Sequence, residues 1–238
     1  MQLEIAVQDV AGIQVAHDHG ADRAELCQAL VTGGLTPTSG MIRQAVELGL
    51  PARPLIRPRG GGYLYSSAEV AVMRQDVPAL REAGAAGVIV GALDDHGLDH
   101  PALRRLVEAA DGLPVVVHRC VDVLLAAGLT TPPQLVEELL DLGVSGVLTS
   151  GGAATAPEGT SVIGQLAEAG AGRLEIIAGG GVRAAHVAGL AEAGADVVHL
   201  SAGSPVTHGS PGPGGGEGSY VTTDAALVQA ARSAVDAA

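Results

Sequence analysis

The stretch AEAGADVVHL, Ala191 to Leu200, reads as an alanine-rich helix end, a glycine and a β-rich run. Three other stretches have the same form: HDHGADRAEL (His17 to Leu26), REAGAAGVIV (Arg81 to Val90) and LDLGVSGVLT (Leu140 to Thr149). Glycine just past a helix supplies the left-handed conformation that closes it. Gly20, Gly49, Gly84, Gly112, Gly143, Gly170 and Gly194 mark seven such junctions. Working outward from them, strands are expected at 2–7, 22–27, 53–57, 86–91, 114–118, 145–149, 173–178 and 196–200. Helices alternate with them. SSAE (Ser66 to Glu69) and TPPQ (Thr131 to Gln134) have capping-box spacing at two helix starts. Val70, Met73, Val77 and Leu80 give one helix an apolar stripe. Pro78 inside it is expected to kink or shorten that helix.

Eight βα units within 238 residues point to a single-domain TIM (β/α)8 barrel over residues 1–238, a fold of ~250 residues in typical cases. A doubly wound sheet is the alternative. Against it, no G-x-G-x-x-G follows the first strand, which runs into VQDVAG. The Gly/Pro-rich segment 203–219, between the eighth strand and the last helix, is expected to be a flexible loop. It reads either as a mobile surface loop or as a lid that uses Tyr220.

Composition excludes several functions. Thirteen basic side chains, all arginine, face 26 acidic ones, for a net charge of −13. Nucleic acid and anionic membranes need a basic face, so neither is an expected partner. The absence of lysine removes Schiff-base aldolase, pyridoxal-phosphate and P-loop chemistry, and no organic cofactor is expected. The start, MQLEIAVQDV, lacks the basic and apolar regions of a signal peptide. Two cysteines are too few for a disulfide scaffold, so a reduced, cytoplasmic protein is expected.

TIM barrels work at the C-terminal ends of their strands. Alternation along the strands sends Glu4, Glu25, Arg57, His118, Glu175 and His199 into the barrel. Two readings stand. One is a buried ionic network, since charges inside a barrel need partners. The other is a polar active-site floor. In it Glu4, Glu25, His118 and Asp122 are the acid–base candidates, with Asp122 orienting His118 or Arg119. Arg57 and Arg59 would clamp a small anion, joined by Arg119, Thr149, Ser150, His199 and Ser201. Gly180 and Gly181 in AGGGV suit either a phosphate site or plain tight turns. Metal spacing is weak: Cys27 is a soft donor, but also a small buried hydrophobe, and Cys120 lies across the barrel from it.

The motifs LEI (Leu3 to Ile5), GADRAELC (Gly20 to Cys27), GGLTPTSG (Gly33 to Gly40), IRPRGGGYLYS (Ile56 to Ser66), HRCVD (His118 to Asp122), VLTSGG (Val147 to Gly152) and AGGGV (Ala178 to Val182) carry a resemblance. In order and spacing, over about residues 2 to 202, the chain resembles the CutC copper homeostasis family. The resemblance implies a TIM barrel, a homodimer and a part in copper handling, with direct Cu(I) binding at Cys27 as one route. Cys27 matches the cysteine of the family's E-L-C motif, Arg57 and Arg59 match R-P-R-G-G, and His118, Arg119 and Asp122 match H-R-x-x-D. Cys120 stands where the family pattern has alanine, and the segment after Ser201 departs from it.

Overall fold

The strands are short apolar runs with both faces covered, as parallel strands under helices must be. In the computed structural model, which describes residues 1–207, 209, 212–213 and 218–238, eight of them form one parallel sheet. They are β1 (Gln2–Val7), β2 (Arg23–Leu26), β3 (Ala52–Pro54), β4 (Val88–Val90), β5 (Val115–Val117), β6 (Gly146–Thr149), β7 (Glu175–Gly179) and β8 (Val197–Leu200). Their order is β3-β2-β1-β8-β7-β6-β5-β4. A bridge between Leu55 and Ile89 joins the two ends. Ile56 N donates to Ile89 O at 2.7 Å, and Ala86 N donates to Ala52 O at 2.8 Å. The fold is the TIM barrel that the repeating junction implied.

The third strand was expected over 53–57 but ends at Pro54. Beyond it the chain turns to a different partner. Arg57 N donates to Thr36 Oγ1, and Thr36 N donates to Arg57 O. The loop after β2 thus takes the hydrogen bonds that a longer β3 would have given the ladder.

The helices lie outside: α1 (Val10–Asp18), α2 (Ser39–Leu48), α3 (Ser67–Glu82), α4 (His100–Ala110), α5 (Cys120–Ala127), α6 (Pro132–Asp141), α7 (Thr160–Gly170), α8 (Val187–Glu192) and α9 (Ala225–Asp236). β5 is followed by two helices, α5 and α6. Both expected capping boxes form, at Ser66/Glu69 and Thr131/Gln134. Pro78 does not shorten its helix. The 16-residue α3 runs through it because Val70, Met73, Val77 and Leu80 are all buried, and that burial outweighs one missing backbone bond.

Alternation sorts the core into two layers. Leu3, Ile5, Val7, Ala24 and Leu26 face the helices. Leu55, Ile89, Val116, Leu148, Ile177 and Val197 fill the barrel. The 203–219 segment is not loop throughout. β9 (Gly203–Thr207) pairs antiparallel with β10 (Ser219–Thr223), and Asp224 then caps α9. The middle of the expected loop lies largely outside the described residues. Among the described residues no helix is long and apolar enough to cross a membrane.

Candidate functional site

An ionic column climbs the barrel axis from the N-terminal ends of the strands. At the bottom, Glu175 accepts from Arg23 through both oxygens, at 2.8 and 3.1 Å, and from Arg53 at 2.7 Å. Arg23 Nε pairs with Glu4, which is wholly buried. Glu4 Oε1 lies 2.8 Å from His199 Nδ1, and His199 Nε2 lies 3.2 Å from Glu25 Oε2. The order is therefore Arg53, Glu175, Arg23, Glu4, His199, Glu25, with opposite charges adjacent along it. Charges this deep are tolerated only when paired in this way.

The column sets the ionisation of its upper end. Burial opposes charge on Glu4, but His199 and Arg23 outweigh it and hold the carboxyl at about 2. Burial also opposes charge on His199, and Glu25 and Glu4 outweigh it and raise the imidazole. Glu25 has less help. Burial pushes it up to about 7, against the pull of His199 and with a further push from Glu4.

Glu25 and His199 open into a cavity of about 710 Å³ at the C-terminal ends of the strands, where His118, Arg119, Tyr63 and Arg57 also line the wall. Gly180, Gly181 and Ser201 form part of its rim. Glu4 lies below this cavity and reaches it only through His199. Glu175, expected to point inward, does so at the opposite end of the barrel.

His118 follows β5. Its Nδ1 accepts from Cys120 N at 3.2 Å, at the first residue of α5. Its Nε2 is buried and has no hydrogen-bond partner among the described residues. The Tyr63 ring packs on it at 4.8 Å between centroids. Burial, then Arg57, lowers its pKa to about 4.

Asp122 does not orient His118. It accepts from Arg119 Nε at 2.8 Å, from the Thr149 and Ser150 hydroxyls at 2.5 and 2.9 Å, and from Gly152 N at 3.0 Å. Thr149 and Ser150 are fully buried and occupied in this network, which ties the loop after β6 to α5. Arg119 spends Nε on Asp122 and Nη2 on Ser150 Oγ at 2.8 Å. Its Nη1 forms no hydrogen bond among the described residues. It lies against Gly180, where an added Cβ would come within 2.8 Å of it. Gly180 and Gly181 have φ of +105° and +67°, so glycine suits that turn sterically and conformationally.

The two arginines expected to form a clamp are not brought together. Arg57 Nη1 donates to Thr32 O and Gly34 O at 2.9 and 2.8 Å, and Nη2 donates to Gly61 O at 2.7 Å. It binds two loops to each other, leaving Nε without a hydrogen-bond partner among the described residues. Arg59 lies away from the cavity lining, paired with Glu69 and stacked on Tyr65 at 5.1 Å. Arg119 lines the cavity with an outer donor edge, Nη1, that forms no hydrogen bond among the described residues.

Cys27 does not sit in a chelating site. Its thiol is buried among Leu55, Ile89 and Val116, with Val7 O at 3.7 Å. Burial, then Glu25, raises its pKa, which disfavours the thiolate that a soft metal needs. Cys120 is buried beside His118, and both thiols are free. Among the described residues no group of three or more His, Cys, Asp or Glu side chains is placed to hold a metal ion. The residues around Cys27 do not fit a Cu(I) site with several protein ligands.

Sequence reasoning missed Arg23, Arg53 and Tyr63. The signal for the arginines was present: Arg23 shares parity with Glu25 and Cys27, and Arg53 with Arg57. Tyr63 had no periodic signal, because a glycine-rich loop delivers it.

Fold and site together define a (β/α)8-barrel protein with titratable groups and an open arginine gathered at the C-terminal face. The CutC family pattern matches residues 1–204. This chain belongs to the CutC family. It is 41% identical over 214 residues to a family protein CutC of Caulobacter vibrioides, covering 88% of this chain and 84% of the relative. It is 44% identical over 209 residues to a family protein CutC of Xanthomonas campestris pv. campestris, covering 87% and 85%. A solved structure from Streptococcus agalactiae, described as a copper homeostasis protein CutC, superposes with a TM-score of 0.78 at 27% identity. That alignment covers 84% of this chain and 98% of the other.

Proposed function

We propose that this chain is an acid–base enzyme for a small anionic metabolite. Any part in copper homeostasis, the role in the description of the Streptococcus agalactiae relative, would run through that activity. The observation that carries this reading is the run of ion pairs Glu4, His199, Glu25, which ends at the floor of a cavity whose wall holds Arg119 with Nη1 in no hydrogen bond among the described residues. A carboxyl with a value near 7 suits proton transfer at neutral pH. An unspent guanidinium edge beside a glycine turn suits a phosphate or carboxylate.

Calorimetric titration with inorganic phosphate and with small phosphorylated and carboxylated metabolites tests the reading. Binding is expected, and Arg119→Ala is expected to weaken it about 10- to 100-fold, the worth of a charge-assisted hydrogen bond. Binding that Arg119→Ala leaves unchanged, or none at all, removes the anion site. A second titration decides the copper route: anaerobic Cu(I) competition against a chelating indicator, with Cys27→Ser as control. Tight stoichiometric uptake that Cys27→Ser abolishes would replace this reading with direct copper binding.

A further inference from the structure

We infer that His118 is a neutral, electrophilic hydrogen-bond donor for a substrate carbonyl oxygen, and that the pocket therefore abstracts a proton from the carbon beside that carbonyl. The inference rests on the anion-pocket reading and adds the reaction class and the substrate's second functional group.

The tautomer follows from one contact. A backbone N–H can only donate, so Cys120 N donating at 3.2 Å makes His118 Nδ1 an acceptor. The single proton of the neutral ring must then sit on Nε2. Two further features keep the ring neutral. Its contact is with the N-terminus of α5, whose dipole disfavours a cation. Arg57, whose side chain is buried on the neighbouring loop, repels a second positive charge. Asp122, on α5, is the anion that acts the other way, and five donor groups already hold it. A neutral imidazole held this way polarises a carbonyl without giving up its proton.

Nε2–H is a buried donor with no partner among the described residues, on a ring that lines the cavity. Leaving a buried donor without a hydrogen bond is costly, so it is a feature that calls for a ligand. Glu25 stands on β2 and His118 follows β5, so the cavity holds a carboxyl and the imidazole on separate walls, with Arg119 beside the latter. In the step, the Glu25 carboxylate takes a proton from the carbon next to the carbonyl. The C–H electron pair becomes the new C=C bond, and the carbonyl π pair moves onto oxygen. His118 Nε2–H hydrogen-bonds that oxygen and keeps its proton. The Glu25 carboxylic acid then returns a proton to the same carbon of an enolate, or to the other carbon of an enediolate, whose hydroxyl proton then passes directly to the former carbonyl oxygen. The balance is an isomerisation, or exchange with solvent, and no oxidant or cofactor is consumed.

Nitrogen-15 NMR of the histidine rings reads the tautomer without any ligand. His118 is expected as the neutral Nε2–H form at pH 6 and 8. A cationic ring at pH 6, or the Nδ1–H form, overturns the inference. Binding of 2-phosphoglycolate, whose carboxylate stands for the enediolate, reads the contact. His118→Leu is expected to weaken it at least tenfold, and His118→Gln, which keeps an N–H donor, to restore part of the loss. Equal binding by wild type and His118→Leu, with Arg119→Ala still impaired, overturns the role of His118 and leaves the anion pocket standing. No Arg119-dependent binding of phosphate or 2-phosphoglycolate removes the pocket, and the inference with it. Solvent deuterium incorporation reads the chemistry, with a three-carbon ketose monophosphate, an aldose monophosphate and a 2-keto carboxylate as probes. Incorporation into one of them that falls about 100- to 1000-fold in His118→Leu is expected. No incorporation into any of the three overturns the reaction class.

Discussion

Arg23 is the residue on which the column depends. Its guanidinium faces Glu175 with two nitrogens and Glu4 with the third, and it is 5% exposed. Arg23→Leu leaves Glu4 with only His199 and Glu175 with only Arg53. The expected loss is about 3–5 kcal/mol of stability, the cost of stranding a buried charge, read by urea unfolding at pH 7. A loss below ~1 kcal/mol would mean that water already compensates these charges. Glu25 makes the opposite kind of contribution. Its folded value, about 7, stands above the ordinary 4.5. Its favourable contribution is therefore complete below about 4.5 and is lost as pH rises through 7. Glu25→Gln, which cannot ionise, should gain on the wild type by on the order of 2 kcal/mol between pH 5 and pH 8. Equal stability differences at the two pH values would refute the raised carboxyl. Glu4 has the depressed value, so its contribution holds above about 4.5 and fades only as pH falls towards 2.

At the scale of elements, the strands and their ends make room for the polar side chains inside the barrel with glycine at inward positions. A Cβ at Gly87 would lie 3.2 Å from Arg53 Nε, one at Gly179 would lie 3.1 Å from His199 Cδ2, and one at Gly91 would lie 2.2 Å from His118 Cε1 and 2.7 Å from Cys120 Sγ. None of these three glycines has a positive φ, so space and not backbone conformation demands them. Gly91→Ala should therefore cost about 1–3 kcal/mol by overpacking. It should also disturb the His118 ring signal, while the far-ultraviolet circular dichroism stays native. An unshifted ring signal would show that the end of β4 yields instead. Helix α3 gives the converse lesson, since its buried stripe carries the helix through Pro78.

For the whole molecule, closure of the barrel is weakest between β3 and β4. Elsewhere neighbouring strands share ladders of two to four residue pairs, whereas this seam has only isolated bridges among the described residues, Leu55–Ile89 and, beyond the strand ends, Leu64–Leu93. The loops around Arg57 and Arg59 cover the same side. Sub-global opening should start there, because few backbone bonds must break. Hydrogen exchange at pH 7 should find the amides of Ile56 and Ala86 less protected than those of Ile5 and Ala24 in β1 and β2. Equal protection across all four would mean that the barrel opens as one cooperative unit.

The chain's own pattern determined the barrel and the inward residues. A glycine-capped helix end followed by a β-rich run is a local signal, and alternation of side chains is a property of one strand by itself. That is why Glu4, Glu25, His118 and His199 could be placed from their neighbours alone, and why the parity of Arg23 was readable though overlooked. Pairing was not legible. Which cation meets which anion depends on the stagger of strands distant in sequence and on the paths of the loops between them. Arg57 and Arg59 looked alike next to Pro58. Yet tertiary structure gave one to loop carbonyls and the other to Glu69, left the open donor on Arg119, and made Asp122 a fastening between loops. The neutral state of His118 was decided at that level too, because it required α5 to begin where Cys120 N meets the ring.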